Sequence, residues 1–127
     1  MNSVILKYFR EMESLSCYEH KDEGFILYTL LDENKILYIH TIYVDPKHRR
    51  KSVGTEMGNA LAKQMFHYYR SIEEIQSRVD KNLPGWQAAI KFQIDWGMEP
   101  VEWDESHIYF RKPVDEKERE RVDDTYR

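Results

Sequence analysis

The run "KILYIHTIYV", Lys35 to Val44, followed at once by Asp45-Pro46, constrains this chain more than any other stretch. β-Branched and aromatic residues dominate from Ile36 to Val44, so the run reads as a strand. Its apolar residues fall on both alternations, Ile36, Ile42 and Val44 against Leu37 and Ile39, which predicts a central strand covered on both faces. Asp45-Pro46 ends it, because proline donates no ladder hydrogen bond and disfavours a helical predecessor. Two strand-like runs precede it, "CYEH" and "GFILYTLL", set apart by the polar breaks "KDEG" and "DENK". Breaks this short join antiparallel neighbours.

Helical periodicity flanks these strands. Ile5, Tyr8, Phe9, Met12 and Leu15 recur at three- and four-residue steps, so residues 3 to 15 read as a short amphipathic helix. Val53, Met57, Ala60, Leu61, Gln64, Met65 and Tyr68 trace one stripe of a second helix, running to about Arg70. "EEIQSRV" then alternates Ile75, Ser77 and Val79 against Glu74, Gln76 and Arg78, a fourth strand. In "NLPGWQAAIKFQIDWG", Asn82 before Pro84 marks a helix start and Gly97 its stop. "MEPVEW" and "HIYFRK" flank the turn-like "DES" and read as a closing hairpin. The order of elements is that of an α+β fold, a mostly antiparallel sheet with helices packed on it.

At 127 residues the chain makes one domain with a core of its own. We expect that domain over residues 1–114 and a charged tail over 115–127. From Asp115 to Arg127 the sole aliphatic residue is Val122, so the tail is expected to be solvated, frayed or used against another subunit. The net charge of −4 argues against a general nucleic-acid binder. Cys17, the single cysteine, has no internal partner and reads as a small buried thiol. No run reaches the roughly 18 apolar residues of a membrane span, so no membrane partner and a cytoplasmic setting are the expectation. The five histidines, His20, His40, His48, His67 and His107, show no metal-ligand spacing with one another or with Cys17, and no metal is expected. Trp86, Trp96 and Trp103 read as core or pocket wall.

Against that acidic background, "VDPKHRRKSVG" gathers Lys47, His48, Arg49, Arg50 and Lys51 between a strand and a helix. The unpaired N–H groups at the start of that helix lie at the positive end of its dipole, so the turn is suited to an anion, phosphate above all. Gly54 would let backbone approach a ligand with no Cβ between. A solvated basic turn accounts for the same residues, and a nucleic-acid patch less well, since no basic helix face accompanies it.

The element order together with "YVDPKHRRKSVGTEM" resembles the GNAT superfamily of acetyl-CoA-dependent N-acetyltransferases, in which a strand ending V-x-P leads to Q/R-x-x-G-x-G/A at a helix start. "AIKFQIDWGM", Ala89 to Met98, is similar to a second family pattern on the last helix. The resemblance runs from about Val4 to Pro113. It implies a mixed GNAT-like sheet with helices on both faces, acetyl-CoA as acyl donor, and an amine acceptor, protein or small molecule. It also implies direct attack of the amine on the thioester in a ternary complex, and a homodimer as the assembly. By position, Arg49, Arg50, Lys51, Ser52, Val53, Gly54 and Thr55 would hold the cofactor's phosphates, and the backbone of Ile42 and Val44 its pantetheine arm. A backbone N–H near Val44 would receive the oxyanion.

Two positions depart from the family pattern. Ser52 stands where the first glycine is usual, and Gln93 where many members carry a tyrosine that protonates the leaving thiolate; an amide is not acidic enough for that role. At the position of the family's glutamate base stands Tyr38, a weak base at neutral pH. His40, two residues on, titrates in the useful range and is our candidate base, with Asp80 after the fourth strand as the other. Structural readings compete with each: a strand histidine satisfied by its neighbours, and an ordinary turn carboxylate. Glu99, Glu102, Asp104 and Glu105 would suit a cationic acceptor. The alternative is a GNAT-fold module without turnover that binds CoA or a protein partner.

Overall fold

A computed structural model describes residues 15–49 and 52–125, and of residues 123–125 the backbone alone. The helix expected over residues 3 to 15 lies outside the described residues except for Leu15. Six strands make one sheet: β1 (Ser16–His20), β2 (Gly24–Leu31), β3 (Ile36–Val44), β4 (Glu74–Asp80), β5 (Glu99–Trp103) and β6 (His107–Pro113). Their order is β1-β2-β3-β4-β6-β5, with β3 and β4 parallel and every other pair antiparallel. Three helices, α1 (Val53–Tyr68), α2 (Trp86–Asp95) and α3 (Glu116–Thr125), complete the described fold, a mixed α+β sheet with packed helices. Among the described residues no helix is long and apolar enough to cross a membrane.

The core lies between the sheet and α1. Ile26, Leu37, Ile39, Ile75, Val79 and Phe110 from the four adjacent strands β2, β3, β4 and β6 meet Val53, Met57, Leu61 and Met65, and all are buried. At roughly 1.5–3 kcal/mol for each large apolar side chain removed from water, this contact is the main force seating α1. Tyr68 and Gln64, expected on the same stripe, are exposed, while Ala62 and Phe66 are buried instead. The buried arc is therefore wider than one sheet-facing stripe, because α2 and α3 also cover the helix. Gly58 makes the contact with α2 possible: a Cβ there would sit 3.0 Å from Cε2 and Cζ2 of Trp96. The Trp96 indole N–H donates to Asn59 Oδ1 at 2.8 Å, which pins that approach.

Strand β3 carries a bulge that the sequence does not announce. Thr41 pairs with Leu27 and Ile39 with Tyr28, so His40 has no residue opposite it on β2. Ile42 pairs with Ile26, two positions from Tyr28, and thus lies on the same face as Ile39. The extra residue resets the alternation. Ile42 and Val44 join Leu37 and Ile39 on the core side, which corrects the expectation that the apolar residues of this strand divide between two covered faces.

The tail expected to be solvated is α3 in its described part. Val122 is fully buried, and Arg119 donates to the carbonyls of Phe66, Arg70 and Ile72 at 3.3, 3.1 and 2.7 Å. Those carbonyls lie at and beyond the last turn of α1, where intrahelical donors run out. A guanidinium there satisfies them and complements the negative end of the dipole. Asp115 starts the helix by accepting the Glu118 N–H at 2.9 Å.

Candidate cofactor and acyl-transfer site

Strands β3 and β4 pair only from Ile36/Glu74 to Ile39/Ser77. Beyond Ile39, β3 continues to Val44 with partners on β2 alone, so its other edge opens onto a gap from His40 onward. Backbone groups on an unpaired edge are ready to bond an extended chain. The start of α1 closes the same end: a Cβ built on Gly54 would lie 3.9 Å from Val44 Cγ2 and 3.2 Å from two ring atoms of Phe92 on α2. Gly54 therefore serves a close approach between helix, strand end and Phe92.

Ser52 adopts φ 61° and ψ 20°, the left-handed conformation that the glycine of the pattern would supply. It does so at a cost of roughly 1–2 kcal/mol. Its carbonyl accepts the Glu56 N–H at 3.0 Å, the first bond of α1, which leaves the N–H groups of Val53, Gly54 and Thr55 without intrahelical acceptors. Ahead of it, Asp45 accepts the Lys47 N–H and starts a short 3₁₀ turn over Pro46–His48. Arg49 donates from Nε to Val44 O at 3.0 Å and sits over the Tyr43 ring at 5.8 Å. Its guanidinium is thus used in part to close the strand end. Arg50 and Lys51 lie outside the described residues.

The candidate catalytic residues lie on the other face of the sheet from the core. His40 Nε2 accepts from Arg78 Nη2 at 3.0 Å, and its Nδ1 lies 2.6 Å from Thr41 Oγ1. Burial lowers its pKa from the ordinary value, so the ring is neutral and Nδ1–H donates to the hydroxyl. Burial also lowers the pKa of Arg78, against the opposing charges of Tyr109 and Asp80, yet a guanidinium stays cationic at neutral pH. Tyr38, half-buried, pairs with Thr29 and Gln76. Asp80 is at the end of β4, where Oδ1 accepts the Asn82 N–H at 2.8 Å and Oδ2 lies 3.7 Å from His107 Nε2. The structure thus joins His40 to Arg78, and ties Asp80 into a turn and to His107.

Arg78, which bonds the candidate base, was not singled out from the sequence. Its signal was its place on the polar alternation of the fourth strand, which becomes informative only when β4 is known to lie beside β3. Gln93 is 4% exposed, and Ser77 Oγ donates to its Oε1 at 2.7 Å. At the tyrosine position of the pattern this chain therefore holds a side chain bonded between α2 and β4. Two expectations are corrected here: Cys17 is exposed, not buried, and Trp103 is 68% exposed, so it is neither core nor an enclosed wall. An edge strand exposed along its whole length leaves the Trp103 ring in water.

Comparison with known proteins bears on the family and the fold. The acetyltransferase (GNAT) family model matches residues 5–92. Among solved structures, the chain is similar to Ard1 from Thermoplasma volcanium, with 20% identity and a TM-score of 0.63 over 90% of this chain and 80% of that one. It is also similar to the PaiA N-acetyltransferase from Thermoplasma acidophilum in complex with coenzyme A, with 16% identity and a TM-score of 0.63 over 88% of this chain and 70% of that one. No curated protein matches. At these identities the structural likeness is one of fold, whereas the family match spans more than half of the sequence. The chain belongs to the GNAT acetyltransferase family.

Proposed function

We propose that this protein transfers an acetyl group from acetyl-CoA to a primary amine by direct attack in a ternary complex. The observation that carries the reading is the parting of β3 and β4 after Ile39/Ser77, with the left-handed Ser52 turn and the start of α1 at its end. In this reading the free edge of β3 at Ile42 and Val44 pairs with the pantetheine arm, and the N–H groups of Val53, Gly54 and Thr55 receive the diphosphate, aided by Arg49, Arg50 and Lys51. The coenzyme A held by the similar PaiA structure supports that assignment. Bound acetyl-CoA supplies the activated acyl group; the chain's own part is to align the amine, take its proton and stabilise the oxyanion near Val44.

His40 is the base in this reading. Arg78 donates a cationic N–H to Nε2, and an incoming ammonium is a donor of the same kind, able to replace it. Neutral His40 then accepts the ammonium's proton, while Nδ1–H stays on Thr41. Tyr38, beside it on β3, lines the amine's approach, and Asp80 contributes negative charge at the end of β4. Asp104 spends its carboxylate on the N–H groups of Ser106 and His107, so of the acidic hairpin residues it is the least available to a cationic acceptor. Thiol release from acetyl-CoA, followed across cationic and neutral amines, tests the reading. Turnover with at least one primary amine is expected. Tight coenzyme binding without thiol release for any amine would favour a binding module in its place.

A further inference from the structure

A second cluster, away from the β3–β4 gap, draws donors from two elements and a turn. His20 ends β1, Glu23 lies in the turn before β2, and Glu56 stands on the first turn of α1; one ligand atom from each falls within 4.8 Å of the others. His20 is 3% exposed, and the two carboxylates are half-buried. Glu23 is folded back onto His20 by its own N–H, which donates to His20 O at 3.1 Å. His20 Nε2 is directed at Glu56 Oε1 across 3.4 Å.

That separation suits an ion pair and also a pair of ligands on one metal ion. A direct N–H···O bond prefers about 2.7–3.2 Å. Two ligands of one tetrahedral zinc ion, each roughly 2.0–2.1 Å from the metal, stand about 3.3 Å apart. On its other side, His20 Nδ1 lies 3.1 Å from Tyr18 Oη. With the phenol oxygen accepting from Nδ1–H, Nε2 turns its lone pair toward the carboxylates, the same outer-ligand arrangement that orients histidines on metals. Lys21 Nζ, 3.6 Å from Glu56 Oε1, is the cation already near the cluster, but Lys21 is largely exposed.

We propose that His20, Glu23 and Glu56 form a binding site for a divalent transition-metal ion of the zinc class, with water completing a four-coordinate shell. One imidazole and two carboxylates suit a borderline ion better than magnesium, which prefers six oxygens. The site would clasp the β1–β2 turn to the first turn of α1. It does not depend on acetyl transfer, and its test does not use activity.

The test is a titration of the chelator-treated full chain with Co²⁺, read by visible absorption, followed by Zn²⁺. Strong bands of tetrahedral cobalt saturating at one equivalent, bleached by Zn²⁺ and unaffected by Mg²⁺, are expected. Glu23→Gln and Glu56→Gln should each weaken binding at least about tenfold, on the scale that even outer-ligand changes reach. His20→Gln should abolish it. Should that buried change unfold the chain, Glu23→Gln decides, since its carboxylate is half-exposed in a turn. No saturable band, or a band that keeps its affinity in both glutamate variants, would overturn the proposal and leave His20 and Glu56 as an ion pair.

Discussion

His40 accepts a hydrogen bond from Arg78 at 3.0 Å across two parallel strands, and it does so from a bulge residue with no partner on β2. The bulge turns the ring toward β4; the arginine and Thr41 hold it there. A histidine so placed is set in orientation and held neutral. His40→Gln keeps a polar side chain of similar reach but has no titrating nitrogen. It should leave coenzyme affinity within about twofold and lower turnover by about 10²–10⁴, the range of general-base catalysis. Unchanged turnover in the folded variant would remove His40 as the base.

The same ring sets a pH dependence. Burial lowers its pKa below 6.5 in the folded chain, so the unfolded state binds the proton more readily. The stability this contributes is complete above about 6.5 and is lost as pH falls from there through the folded value. Relative to His40→Gln, which does not titrate, the wild type should lose stability as pH falls from about 6.5, so the gap between their urea unfolding midpoints is constant above that pH and changes below it. Parallel curves across the range would contradict the assignment.

Ser52 offers the opposite kind of change. Its φ of 61° is one that a serine adopts only at a cost, so Ser52→Gly should stabilise the fold by about 1 kcal/mol and tighten acetyl-CoA binding. Ser52→Ala, which keeps the Cβ, should do neither. Thermal melts and calorimetry on the two variants separate backbone strain from any contribution of the hydroxyl.

Gln93→Tyr tests whether the family's acid can simply be restored. The site is 4% exposed and bonded to Ser77 Oγ, so a phenol there is overpacked and strands the serine. A loss of about 1–3 kcal/mol with no gain in turnover is the expected outcome. Raised turnover would mean that position 93 faces the thiol after all.

Helix α3 contributes to the body of the domain. Arg119→Ala removes three bonds to carbonyls beyond the reach of α1's own donors, and its stacking on Phe66 at 5.2 Å. A destabilisation of about 1.5–3 kcal/mol is expected from denaturant melts, and Arg119→Lys should recover only part of it. Wild-type stability in Arg119→Ala would mean that α3 is merely laid on the surface.

Much of this architecture was legible because apolar periodicity and turn residues agreed. The runs Gly24–Leu31 and Ile36–Val44, the alternation Ile75, Ser77, Val79 and the hairpin around "DES" lie where the pattern put them. The bulge at His40 was not legible, since nothing local distinguishes an inserted residue from an alternating one; it shows only in the pairing with β2. Helix α3 was hidden by its charge. It buries one aliphatic residue, Val122, and is held mainly by polar groups, although Asp115 three residues ahead of Glu118 was a capping signal in plain view. Arg78 could not be joined to His40 before the parallel pairing of β3 with β4 was known. The sequence showed only that Ser52 stands where the pattern has a glycine; that the position is left-handed, and that serine adopts it, are properties of the folded chain.

Calorimetric titration of the full chain with acetyl-CoA, repeated in the presence of inorganic pyrophosphate, tests the central claim most directly. The account predicts one site per chain, weakened by pyrophosphate in competition and tightened in Ser52→Gly. No binding, or binding indifferent to both pyrophosphate and Ser52→Gly, would contradict the claim that the gap between β3 and β4 and the turn at Ser52 hold the cofactor.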